Sequence, residues 1–165
     1  MWAYHAVAVV FVGLIIAACN DSRSATSRVE QHGLIIEFTP VCVDREVKLR
    51  GEIVNTGTQS IQIESGALPW QYDLLGTDFQ AESAGTNLAK NTATPLIGKT
   101  GPKVLAPNER REGFTPIAFI FPELRSLLAR QPVTVTWAYP LILPSRDAND
   151  QIRGRVEITK DPCDG

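Results

Sequence analysis

Between Val47 and Ile53 apolar and charged residues alternate without a break. Val47, Leu49, Gly51 and Ile53 are interleaved with Lys48, Arg50 and Glu52. Successive side chains of a strand point to opposite faces, so a period of two puts one face on a core and the other in water. A helix cannot satisfy this pattern, because at 3.6 residues per turn the charges would wrap onto the apolar side. A strand with one wet face belongs to an antiparallel sheet, and that sheet needs a second layer over its apolar side.

The same period recurs along the chain. Leu34, Ile36 and Phe38 alternate with Ile35, Glu37 and Thr39. Ile61 and Ile63 alternate with Ser60, Gln62 and Glu64. Asn55-Thr56-Gly57-Thr58 supplies turn chemistry before them and predicts an antiparallel hairpin between 47–53 and 61–63. Further strands are expected around Tyr72 to Leu75, from Phe79, and at Val104-Leu105 before a turn. Phe114, Ile117, Phe119 and Phe121, with Ala118 and Ile120 between them, predict a strand buried on both faces. Val133, Val135, Trp137 and Tyr139 line one face of another, and Val156 and Ile158 point inward from a last strand over 153–160. Pro122 suits the first position of a helix, and Leu124, Leu127 and Leu128 follow at helical spacing before Gln131-Pro132 ends it. Seven to eight short strands and one short helix indicate an all-β, antiparallel β-sandwich.

The stretch VKLRGEIVNTGTQSIQI, residues 47–63, resembles the central hairpin of immunoglobulin-like and fibronectin-like bacterial domains. The resemblance implies an immunoglobulin-like sandwich over residues 33–165. It carries no functional residues with it, because such folds host many unrelated activities.

Residues 1–18 form a separate object. Ala6 to Ala18 is an unbroken apolar run. As a helix it would span about 20 Å, short of the roughly 30 Å hydrocarbon core, and it suits the apolar region of a signal peptide. Ahead of it only the terminal amine and His5 are basic. The run ends in Ile16-Ala17-Ala18-Cys19, which resembles the lipobox of bacterial lipoproteins. That likeness implies that Cys19 is lipidated and becomes the new N-terminus. Cleavage after Ala18 without lipid, and an uncleaved short anchor, are the alternatives. Asn20 to His32 is polar and reads as a tether, with an average reach of about 20 Å.

The chain has three cysteines, Cys19, Cys42 and Cys163. With Cys19 lipidated two remain, an even number for an oxidising compartment. A Cys42–Cys163 bond would close a loop of about 120 residues and contribute roughly 4–5 kcal/mol. The alternative is two unrelated thiols. The immunoglobulin-like resemblance also places the first strand beside the last, which would bring the two cysteines together.

Several chemistries are poorly served. A net charge of −2 excludes a strongly basic nucleic-acid binder. Ala93 to Thr100 (ATPLIGKT) matches a relaxed phosphate-loop pattern, but Gly101-Pro102 blocks the helix whose amides would hold the phosphates, so no nucleotide is expected. Past residue 18 the only histidine is His32, which cannot build a His-rich zinc site. Asp147-Ala148-Asn149-Asp150 begins like a calcium loop, yet Ile152 and Ile158 stand where Gly and Glu are required. No Gly-x-Ser-x-Gly is present, and Glu37, Glu52 and Glu64 fall on solvent faces. Neither cofactor nor metal is expected. Trp137, in phase with Val133 and Val135, reads as core rather than as a ligand platform, and so does Trp70.

The 83–103 segment reads as a loop of 21 residues with three lysines and no acid. Loops that long serve a function or are simply mobile. Its candidate contact residues for a partner are Leu88, Lys90, Leu96, Ile97, Lys99 and Lys103. These readings combine into an expectation. The chain is a lipid-anchored cell-envelope protein facing the periplasm or the exterior, with a non-enzymatic binding or structural sandwich. Its partners would be the membrane, through the anchor, and an envelope protein or peptidoglycan. The alternative is an inhibitor or chaperone-like module that uses an edge strand or the 83–103 loop against a protein. A hydrolase has the least support.

Overall fold

A computed structural model describes residues 25–63, 67–72, 76–91, 103–140 and 151–164. Among them the chain forms two packed antiparallel sheets and a small two-stranded one. The first sheet has the order β1-β2-β3-β8: β1 is Ser27–Gln31, β2 Leu34–Val43, β3 Glu46–Asn55 and β8 Arg110–Thr115. The second has the order β10-β9-β5-β6: β5 is Asp78–Ser83, β6 Thr86–Asn87, β9 Val133–Pro140 and β10 Gln151–Ile158. β4 (Ile61–Ile63) pairs with β7 (Lys103–Leu105). The architecture is therefore an all-β sandwich. Between the layers Phe38 of β2 meets Phe79 of β5 edge-on, with ring centroids 5.4 Å apart, and Trp137 of β9 at 5.1 Å.

The period-two segments fold as their pattern requires. Val47, Leu49 and Ile53 are fully buried, as are Leu34, Ile36 and Phe38. Val133, Val135, Trp137 and Tyr139 of β9, and Ile152, Val156 and Ile158 of β10, close the core from the other side.

Several expectations need correction. The polar segment up to His32 is not all tether, because Ser27–Gln31 pairs with β2 as strand β1. The hairpin expected between 47–53 and 61–63 does not form. β3 lies between β2 and β8, whereas β4 pairs only with β7. The cause is Asn55, which is buried. Its Nδ2 donates to the carbonyls of Gln59 (2.7 Å) and Leu105 (3.0 Å), and its Oδ1 accepts from the Gly57 amide (2.9 Å). The chain is thereby turned out of the first sheet. The partner of β3 is instead β2, through a two-residue turn at Asp44-Arg45 with φ of 56° and 63°. Positive φ at both positions is the geometry of the hairpin turns that match strand twist, here taken by two residues that are not glycine.

The strand expected over 114–121 is a strand end followed by a helix. β8 stops at Thr115, and α1 spans Ile117–Ile120 after Pro116, whose carbonyl accepts from the amides of Phe119 and Ile120. Ile117, Ile120 and Phe121 are buried at helical spacing, while Phe119 and Phe114 are nearly half exposed. A second helix, α2 (Leu124–Leu128), lies where the leucine spacing predicted one. The strand expected around 72–75 falls largely outside the described residues, and the calcium-loop-like stretch 147–150 lies wholly outside them.

Candidate functional site

The two cysteines of the folded part are joined. Cys42, near the end of β2, and Cys163, beyond β10, form a disulfide with Cα atoms 4.9 Å apart across a separation of 121 residues. The C-terminal segment is held there by a second device that the sequence did not reveal. Asp161, a carboxylate that the sequence does not single out, is buried. Its Oδ1 accepts from the Cys163 amide (2.8 Å), and its Oδ2 from Nε of Arg125 on α2 (2.8 Å). Nη1 of the same arginine reaches the Arg45 carbonyl in the β2–β3 turn (3.4 Å). The Asp161 carboxylate, by hydrogen bond and by charge, holds the Arg125 guanidinium above its ordinary pKa. No local pattern marks Asp161, because its partner is 36 residues away. Burial likewise pushes the Tyr139 hydroxyl up, so it stays protonated.

A shallow groove of about 490 Å³ lies on the outer face of β5, β9 and β10. Strand register explains it. Asp78, Ala138 and Arg153 stand in one row across the sheet, and Gln80, Thr136 and Arg155 in the next. Small side chains on the central strand leave a trough between longer ones on its neighbours. The charges along it are unevenly matched. Asp78 is neutralised by Lys90 at 2.8 Å. Among the described residues Arg153 donates only to the neutral Gln151 Oε1, at 2.9 and 3.2 Å. Arg155 has no charged partner among the described residues. The outer face of the other sheet differs. There Glu37, Glu52 and Glu112 stand opposite one another, with Arg28 on Glu37 (3.4 Å) and Arg110 on Glu52 (3.2 Å).

β10 also lies along β1, where the described chain begins. Trp137 Nε1 donates to Ser27 Oγ at 3.1 Å. Gly154 is packed so closely there that an added Cβ would stand 2.3 Å from the Trp137 ring and 2.9 Å from Ser27 Oγ. Trp137 is thus a core residue, only 2% exposed. Trp70 is partly buried, with its indole across Gly113 of β8 and its carbonyl accepting from Thr115 Oγ1 at 2.9 Å.

The sequence-derived partner loop is dispersed by the structure. Its first part is a hairpin, β5 to β6, turned at Ala84-Gly85 with φ of 48° and 77°. Leu88 packs against the core, its amide bonded to the Ala81 carbonyl. Lys90 is spent on Asp78, and Lys103 belongs to β7. Leu96, Ile97 and Lys99 lie outside the described residues, as does Cys19. Among the described residues no group of three or more His, Cys, Asp or Glu is placed to hold a metal, and no helix is long and apolar enough to cross a membrane. No known family model matches the chain, and no characterised protein matches its sequence.

Proposed function

We propose that this is a lipid-anchored cell-envelope protein whose immunoglobulin-like sandwich serves a non-enzymatic binding or structural role. The observation that carries the reading is the Cys42–Cys163 disulfide, which uses two of the three cysteines and fits an oxidising compartment. Cys19 is then left alone, at the end of the apolar run and within the lipobox-like Ile16-Ala17-Ala18-Cys19. Two antiparallel four-stranded sheets packed face to face support the sandwich part of the reading. The test is mass spectrometry of the mature N-terminus. A diacylglyceryl-modified Cys19 is the expected species, and an unmodified peptide running through residues 10–25 would refute the anchor.

A second reading is supported by the exposed Phe114 on β8, the outermost strand of the first sheet. Among the described residues β8 pairs on one side only, with β3, and an open edge with an aromatic side chain suits strand addition by a partner peptide. Replacing Phe114 with Ser should weaken capture of such a partner and leave stability within about 0.5 kcal/mol.

A further inference from the structure

We propose that the outer face of β9 and β10, centred on Arg153 and Arg155, docks on an anionic lipid headgroup surface. The inference rests on the lipid anchor at Cys19 and adds the orientation of the sandwich beneath it. Its first support is position. Ser27 of β1 packs on the core side of Gly154, the residue between the two arginines, so the chain leaves the fold for its anchor beside the β10 edge. Only Asn20 to Ser24 separate Cys19 from Ala25, the first described residue. At full extension that stretch spans about 20 Å, which keeps the β10 edge near the surface at all times.

Charge is the second support. Two arginines on alternate positions of one strand project to the same side. Neither is neutralised by a carboxylate among the described residues, while the nearest acid across the groove, Asp78, is already held by Lys90. The next acid on the strand, Glu157, stands beyond Arg155 in the row of Thr134 and Glu82. Thr136 and Ala138 keep the floor low, so a phosphate diester can approach the guanidinium planes, which suit phosphate oxygens as a fork. Two such residues at a surface rich in anionic lipid favour the docked over the undocked state by about thirtyfold. On the opposite sheet Arg28 and Arg110 are paired with Glu37 and Glu52, which leaves Arg50 as the one outward arginine of β3 without a carboxylate partner among the described residues.

The test uses the lipidated protein purified from membranes and placed in vesicles of phosphatidylcholine, alone or mixed with phosphatidylglycerol. Flotation with the vesicles comes first. An arginine-selective dicarbonyl is then added, and modification is followed by mass spectrometry at Arg153, Arg155 and, as a control on the opposite sheet, the exposed Arg50. On the anionic vesicles Arg153 and Arg155 should react roughly tenfold more slowly than on the neutral ones, with Arg50 unchanged. The protection should vanish at about 0.5 M salt, where screening shortens to a few ångström. Flotation with equal rates on both vesicles overturns the docking face and leaves the anchor standing, as does equal protection of Arg50. Failure to float refutes the anchor and the proposal with it.

Discussion

Replacing Gly154 with Ala should destabilise the sandwich by about 2 kcal/mol, although Gly→Ala in a strand usually does the reverse. The usual gain, about 0.4–1 kcal/mol, comes from restricting the unfolded chain. Here the new methyl would stand 2.3 Å from Trp137 Cζ2 and 2.6 Å from Cε2, both atoms of the indole. The ring has no room to retreat, since Phe38 stands 5.1 Å away on the core side and packs in turn on Phe79. Overpacking of that kind costs about 1–3 kcal/mol. Moving the indole also breaks its bond to Ser27 Oγ in a buried setting, a further 1 kcal/mol or so. Urea unfolding followed by tryptophan fluorescence is the assay. With a slope of roughly 1–3 kcal/mol per molar, the midpoint should fall by about 1 M. Trp137→Phe in the same chain removes both indole atoms that clash, so the Gly154→Ala penalty should shrink in that background. A Gly154→Ala midpoint equal to that of the parent, or equal penalties in both backgrounds, would refute the packing argument.

Other outcomes follow from the same structure. Reducing the Cys42–Cys163 bond should lower stability by about 5 kcal/mol on the chain-entropy account, and an unchanged urea midpoint with and without reductant would contradict it. Asn55→Ala should cost about 3 kcal/mol, because the Leu105 carbonyl loses its side-chain partner in a buried site; a change within 0.5 kcal/mol in thermal or urea unfolding would refute that role. The Ala106 amide, then Arg111, hold the Glu109 carboxylate below its usual pKa. Its contribution should therefore be full above the ordinary carboxylate range and fade as pH falls through the lowered value. The stability difference between the parent and Glu109→Gln should be flat at neutral pH and close in acid, and a difference independent of pH would refute this. Asp161→Asn should loosen the C-terminal clamp, seen as faster reduction of the disulfide by a fixed thiol concentration.

The sandwich was legible because alternation is a local signal. Val47 to Ile53 and Val133 to Tyr139 each carry their own inside and outside, and burial follows them residue by residue. The segment 114–121 misled for the same reason. Apolar residues stand at nearly every position there, so helix and strand periods fit equally, and Pro116 decided for a helical turn. The β2–β3 hairpin was invisible because its turn is Asp44-Arg45, with none of the glycine or asparagine that signals such a turn.

The amino-acid sequence by itself determined the separate apolar N-terminal run, the two-layered β class, the identity of most core faces, and the number of cysteines available for pairing. Each of these depends on residues close together in the chain. Only the tertiary structure decided which strands are neighbours, that Asn55 sends β4 to β7 rather than back to β3, and that Asp161 is buried beneath Arg125. It also set β10, which carries Arg153 and Arg155, beside β1, where the chain leaves for its N-terminus. The contacts of Asn55, Asp161 and Ser27 join residues 36 or more positions apart, and pairings at that distance are chosen by packing of the whole, which no local pattern records.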